Sequence, residues 1–475
     1  MVLLIASILW ALAIAVLLIR AVRQYSFYQI VEPVEGDGTA GASVARRDKI
    51  GEGSLIPSPG TPGEGKGGGR APVPAPSPAL PRHTGGGREE SPPIGSCTAS
   101  VAVIIPARNE EQNIGRCLQG LLAQQSPPEI RSIIVIDDCS TDATGRIARE
   151  VAQRNPIVHL VEGKPLEAGW AGKPHALCQG AQAAQAIFND VDENQWLCLT
   201  DADTAAEPAL LRTAVSVAQS RSLDLLSLQP EQELIGSWER LIMPCGFFLV
   251  AFTQDVRQAN DPNDPNAHAN GQFMLIRRQR YEVVGGYEKL RAEVWEDSAM
   301  ARLVKASGGG VGVVGTKNLI HARMYRDFSS LWYGLSRQAA ALLGTAIGCI
   351  IAALSALILA CASLLLPIAS VVTLAERGAN AITIGAAACG FAGSLALLGT
   401  HLGAARYFKI PMWYGALFPL GYLMGAGIAI HAAVSRMRNT LVWKGRVVEA
   451  IPGANLQASG TDGAAELSRR DVGAL

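Results

Sequence analysis

The chain has 475 residues, 49% of them hydrophobic and 17% charged, with a mean hydropathy of +0.20, which is too apolar for an ordinary soluble protein and too long for one typical domain. Its 41 Lys and Arg balance 41 Asp and Glu, so no global basic field points to a nucleic-acid partner. The 9 cysteines stand singly, without a CxxC pair or a Cys/His cluster at zinc spacing, which argues against structural zinc and for a reduced compartment or lipid.

Residues 2–19, VLLIASILWALAIAVLLI, form an uncharged run long enough to cross a hydrocarbon layer of roughly 30 Å as a helix. Arg20, Arg23, Arg46, Arg47 and Lys49 follow, and the positive-inside bias puts what comes next in the cytoplasm. No basic stretch precedes the run and no small-x-small site ends it, so residues 1–22 read as an anchor and not as a cleaved signal. From 32 to 99 the chain is Gly- and Pro-rich, as in GTPGEGKGGGRAPVPAPSP, and reads as a disordered linker.

The rhythm changes at Ser100. VAVIIP (101–106), SIIVID (132–137), IVHLVE (157–162) and WLCLTD (196–201) have the apolar character of strands buried on both faces. Between them Ile114, Leu118, Leu121 and Leu122 share a helical face, and Ser140 or Asp142 is placed to cap a helix carrying Ile147 and Val151. Alternating strands and helices predict an α/β domain with a mostly parallel sheet over 100–338. Apolar runs at 339–374, 380–400 and 411–434 predict a membrane region over 339–435, followed by a polar tail, 436–475. Arg406 and Lys409 favour a cytoplasmic loop before the last run, while Arg436, Arg438, Lys444 and Arg446 favour a cytoplasmic tail after it. One crossing helix cannot satisfy both, which leaves the number of spans open; an interfacial helix or hairpin within 339–374 is one way out.

In an open parallel sheet ligands bind beyond the carboxyl ends of the strands, and each polar cluster falls at such an end. In LTDADT, Asp201 and Asp203 offer hard oxygens to Mg2+ or Mn2+, with substrate phosphates completing the shell. An Asp-rich turn before the helix near Pro208 is the plainer alternative. Asp137 and Asp138 end their strand similarly and suit either a nucleobase imide or ribose diol, or an Asx-type turn.

The ordered set IIPARNE, VIDDCSTDAT, AGKPHALCQG, LTDADT and VWEDSAM resembles the family 2 glycosyltransferases over roughly residues 100–340. The resemblance implies the GT-A nucleotide-sugar-binding fold, Rossmann-like, and an inverting hexosyl transfer. It implies that Asp138, with or without Asp137, contacts the base and ribose of a nucleotide-sugar, a UDP-sugar in the first instance. Pro106, Arg108, Asn109 and Glu110 would line the same pocket, with Asp203 and Asp201 holding a divalent cation on the diphosphate. Lys173 would add a point charge there, unless it is simply a solvated lysine beside a turn. Glu296 and Asp297 match the family's ED motif, making Asp297 the candidate base; acidic residues also favour a helix N-terminus without any catalysis. Asn270, Gly271 and Gln272, read as the start of a strand, would border the acceptor, as would Trp332 and Arg337. The glycines of GGYE, Gly285 and Gly286, mark a turn, and His321 is a further, weaker metal candidate.

No QxxRW follows the ED motif, which weakens a processive polysaccharide synthase and favours one transfer to a lipid. ANGQFML, GGYE, MYRDFSSLWYGLSRQ and LVWKGR are similar to hopanoid-biosynthesis-associated glycosyltransferases, although SRQ stands where a Lys-Asn pair is expected. That likeness implies a multi-pass protein of the bacterial inner membrane with a cytoplasmic catalytic domain and a lipid acceptor. A non-catalytic membrane scaffold is the reading from another class.

Overall fold

A computed structural model describes residues 1–26, 29–34, 44–45, 99–188, 192–250, 255–438, 440, 442–443 and 446–447. Nearly all of the expected Gly/Pro-rich linker, and the tail beyond 447, lie outside the described residues.

Helix α1 (Val2–Ser26) is followed by two short strands, β1 (Ile30–Val31) and β2 (Val44–Ala45). Strand and helix then alternate through β3 (Ser100–Ala107), α2 (Ile114–Leu122), β4 (Glu129–Asp137), α3 (Thr144–Arg154), β5 (Val158–Glu162), α4 (Gly172–Ile187) and β6 (Gln195–Thr200). Next come β7 (Thr204–Ala206), α5 (Leu210–Ser220), β8 (Leu225–Gln229), β9 (Glu231–Gln232), α6 (Ser237–Val250), α7 (Val256–Asn260), β10 (Phe273–Arg277) and α8 (Arg278–Val283). A 3-10 turn at Gly286–Glu288 leads to α9 (Glu296–Ala306), β11 (Val311–Thr316) and β12 (Ile320–Ala322). The remainder is α10 (Phe328–Leu343), α11 (Ala346–Arg377), α12 (Ala381–Tyr407), α13 (Met412–Ala416), α14 (Phe418–Met437) and the strands β13 (Val442–Trp443) and β14 (Arg446–Val447).

Among the described residues nine strands form one sheet in the order β2-β1-β11-β8-β10-β6-β3-β4-β5. β3 to β6 run parallel as expected, but β10 is antiparallel to both β6 and β8. Alternation along β3 shows why the sheet is covered twice. Val101, Val103 and Ile105 pack with α2 and α5 through Leu118, Leu121, Leu210 and Leu211, whereas Ala102 and Ile104 pack with α4 and α9 through Leu177, Ala181, Met300 and Val304. Each fully buried Ile or Leu adds about 1.5–3 kcal/mol to that core. A small sheet, β7-β12-β9, sits beside the carboxyl end of β6.

Among the described residues four helices are long and apolar enough to cross a membrane: α1, α11, α12 and α14. The run expected at 339–374 divides in two at Gly344, whose φ of +68° ends α10, and Thr345 then caps α11 by accepting from Gly348 N at 2.9 Å. Apolar residues flank the break on both sides, so hydropathy passes over it. The last two runs are also shifted, to 381–407 and 418–437. The N-terminal helix knits to α12: Trp10 Nε1 donates to Ser394 Oγ at 3.3 Å, and a Cβ at Gly393 would come within 2.6 Å of the indole.

Candidate active site

The first two loops at the sheet edge are sewn together. Arg108 Nη1 donates to the Asp138 carbonyl at 2.6 Å and to that of Cys139 at 3.1 Å. Asn109, in the left-handed region with φ +51°, donates its N–H to Ser140 Oγ at 3.0 Å and accepts from Thr141 N at 2.8 Å. Glu110 N donates to Thr144 Oγ1 at 2.7 Å, and Asp142 accepts from Thr144 N at 2.9 Å, so Asp142 rather than Ser140 serves the start of α3. Pro106 is the penultimate residue of β3, beside Ile136 of β4.

The two aspartates that end β4 part company. Asp137 accepts from Ser140 N at 3.0 Å, and its carboxylate lies over Gly145, where a Cβ would come to 2.3 Å, so it belongs to the turn. Asp138 is 4% exposed, and its N–H returns to the Ala107 carbonyl at 2.8 Å, setting it between the ends of β3 and β4.

At the end of β6 the chain turns as expected: Thr204 donates to the Asp201 carbonyl through both its N–H (3.3 Å) and its Oγ1 (2.8 Å). The Asp203 carbonyl accepts from Arg323 N at 3.1 Å, which ties this turn to the residue after β12. His321, on β12, directs Nε2 toward Glu207 Oε1 at 3.5 Å.

Lys173, at the start of α4, lies at the centre of the acidic residues. Its Nζ is 2.7 Å from Asp201 Oδ1 and 3.0 Å from Glu296 Oε1, so the point charge expected on a diphosphate bridges two carboxylates. Burial works against the ammonium, but Asp201, Glu296 and Asp297 together outweigh it and hold Lys173 charged. Gly271 closes the group: its N–H donates to Asp297 Oδ2 at 2.8 Å. A Cβ there would lie 2.8 Å from Lys173 Nζ, 3.2 Å from Asp297 Oδ2 and 3.4 Å from Glu296 Oε1, so this position requires glycine for space.

Glu296 and Asp297 open α9, as the motif implied, with Glu296 only 5% exposed. Burial, and then the Glu296 charge, push the Asp297 carboxyl up to about 7, against the opposing pull of Lys173 and of the Ser298 and Gly271 N–H groups. A carboxyl there is poised to exchange a proton near neutrality.

Asn270, Gly271 and Gln272 do not begin the strand. They form the turn before β10, with Asn270 Oδ1 accepting from Gln272 N at 2.9 Å and Phe273 N donating to the Asn270 carbonyl at 3.2 Å. Residues the sequence did not single out hold this turn. Ser227 Oγ bonds to both the N–H (2.8 Å) and carbonyl (3.2 Å) of Asn270, and Thr200 Oγ1 donates to the Gln272 carbonyl at 2.9 Å. Lys305 of α9 donates to the carbonyls of Gln258 (2.6 Å), Ala259 (3.3 Å) and Asn266 (2.9 Å), clamping the preceding loop to the helix that carries Asp297. None of these is visible in sequence because each partner is 39 or more residues away. Gln272 Nε2 and the Trp295 indole N–H are buried beside the group with no hydrogen-bond acceptor.

Trp332 packs away from these carboxylates, against Phe328, His431 and Gly427, where a Cβ would come within 2.9 Å of the indole. Arg337, further along α10, and Asp203 both lie close enough to the buried Tyr325 phenol to act on it electrostatically.

Among the described residues no group of three or more His, Cys, Asp or Glu side chains is placed to hold a metal ion. Asp201 and Asp203 are of the right chemistry for a hard divalent cation but too few to enclose one, so they fit a cation that arrives with phosphate oxygens.

Residues 102–284 match the family described as Glycosyl transferase family 2. That stretch is similar to a family 2 glycosyltransferase domain, and the mixed, mostly parallel sheet is of the GT-A type. Relatives include the 4,4'-diaponeurosporenoate glycosyltransferases of Staphylococcus aureus strains Newman and COL, each 29% identical over 242 residues that cover 50% of this chain and 60% of theirs. The chain thus spans under two thirds of the length of these relatives. A solved mannosyltransferase from Pyrobaculum calidifontis, in complex with GDP-Man and Mn2+, is 19% identical, with a TM-score of 0.40 over 71% of this chain and 86% of that one.

Proposed function

We propose that this protein is a membrane-bound inverting glycosyltransferase that moves one sugar from a nucleotide-sugar to a lipid hydroxyl. The observation that carries the reading is the meeting of Asp201, Lys173, Gly271, Glu296 and Asp297, from four separate stretches of chain, at the carboxyl edge of a sheet. Asp138, buried between the first two strand ends, is assigned to the base and ribose. Asp201 and Asp203 would hold a Mg2+ or Mn2+ ion on the diphosphate; when bound, that ion supplies Lewis-acid stabilisation of the leaving group.

The chain's own residues do the rest. Lys173 offsets the charge of Asp201 and Glu296, allowing an anionic substrate to enter an acidic site. Asp297, held by the Gly271 and Ser298 N–H groups, takes the acceptor's hydroxyl proton as the sugar is attacked from the face opposite the diphosphate. The buried N–H groups of Gln272 and Trp295 offer hydrogen bonds to sugar or acceptor oxygens.

Four long apolar helices and relatives named for 4,4'-diaponeurosporenoate support a lipid-like acceptor. A hopanoid or another polyisoprenoid belongs to that class, and a bacterial inner membrane with the domain on the cytoplasmic side is the corresponding location. Incubating the purified protein with a panel of UDP-, GDP- and other nucleotide-sugars, Mg2+ or Mn2+, and lipid extract tests the reading. A singly glycosylated lipid is expected. A product that lengthens with time would instead make the chain a polymer synthase, and unaltered cellular function in Asp203→Ala and Asp297→Ala variants would favour a scaffold.

A further inference from the structure

The course of α14 bears on which parts of this chain face which side of the bilayer. α11 and α12 form an antiparallel pair: Ser370 Oγ donates to the Ala386 carbonyl at 3.4 Å, and Gly390 lies beside Leu366 and Ser370. α1 runs in the same sense as α12, with Leu4 at Gly385, Ser7 at Gly390 and Trp10 at Gly393. Just past the end of α12, Lys409 pairs with Glu231 of the catalytic domain at 2.9 Å, so α12 finishes on the catalytic side and α11 starts there.

A helix crossing next would leave that side and end beside the close of α11. α14 does the reverse. It begins level with His401, well before the end of α12: Phe418 stacks on the imidazole at 4.9 Å, and Tyr422 OH lies 3.0 Å from Nε2. It ends beside the start of α11, where Ala432 and Ala433 pack with Cys349 and Ala340. There Arg436 Nη1 donates to the Ala340 carbonyl at 3.0 Å. α12 and α14 therefore run in the same sense, with residues 408–417 doubling back between them. Half of the apolar stretch of α14 is buried in protein, against a third or less in the other three helices.

We infer that α14 is not a fourth crossing: it dips into the bilayer from the catalytic side and returns, leaving the chain beyond Met437 on that side. With α10 it forms a surface that seats the catalytic domain on the headgroup layer of the adjacent leaflet. Aromatic rings mark that level. Trp238, 46% exposed, meets Phe328 at 4.8 Å, Phe328 meets Trp332 at 5.6 Å, and Tyr333, 55% exposed, meets His431 at 5.4 Å. β13 lies against α10, in keeping with a returning chain. The surface is one layer from the acidic site, since Tyr325 packs where a Cβ on Gly334 would come within 2.3 Å and Arg323 N bonds to the Asp203 carbonyl. The arrangement also resolves the charge conflict: Arg406, Lys409, Arg436 and Arg438 all lie on one side.

The test uses the full chain in membrane vesicles, with one epitope after Leu475 and a second inserted at the exposed turn around Pro156 of the catalytic domain. Protease is added to right-side-out and to inverted vesicles. Both epitopes should be destroyed in the same vesicle orientation and spared in the other. Loss of the two epitopes in opposite orientations would overturn the inference.

Discussion

Asp297 has two N–H donors, an acidic neighbour and a nearby ammonium, and this environment makes its proton affinity a measurable property. With the carboxyl up to about 7, and the base form required, kcat/KM should fall tenfold per pH unit below about 7 and level off above it. Asp297→Asn should lower kcat by about 10²–10⁴-fold while nucleotide-sugar binding survives. Glu296→Gln removes the neighbouring negative charge, so the acidic limb should move to lower pH; a limb that stays put would show that Glu296 does not act on Asp297. The sequence exposes these carboxylates because ED and DxD are short local patterns. It does not expose Lys173 as their bridge, nor the division of labour between Asp137 and Asp138, because those depend on which loop lies over which.

At the scale of elements, the turn 270–272 and the start of α9 form one unit. Gly271→Ala would push a methyl against Lys173 Nζ, which can move only by giving up Asp201 or Glu296. Activity should fall at least tenfold with the thermal midpoint little changed; full activity would show that the Lys173 bridge is dispensable. Lys305→Met releases three loop carbonyls and should raise KM for the acceptor as well as lower the midpoint, read by steady-state kinetics and thermal denaturation in detergent. Strands β3 to β6 and the helices α2 and α3 are legible in the sequence, since doubly buried strands read as short Val/Ile/Leu runs; α4 does not read as a helix there. The antiparallel direction of β10 is not, because pairing direction leaves no trace in composition. The break at Gly344 is also hidden, being preceded by Ala and Leu and followed after Thr345 by another apolar run.

For the molecule as a whole, a catalytic sheet stands on a helical base, and the base is held by close approaches such as Trp10 on Gly393. Gly393→Val should destabilise the detergent-solubilised protein by about 1–3 kcal/mol through overpacking, seen as a lowered midpoint. The apolar runs announced that base, but their charged flanks gave conflicting senses, which the inferred path of α14 between α10 and α11 reconciles. The account's central claim is a single inverting transfer from a nucleotide-sugar to a lipid, and the product itself tests it most directly. NMR of the lipid product made from an α-linked nucleotide-sugar should show one sugar in β linkage, formed about 10²–10⁴-fold more slowly when Asp297 is replaced by Asn. A retained α linkage, or a β-linked product formed equally well by the Asn variant, would contradict the account.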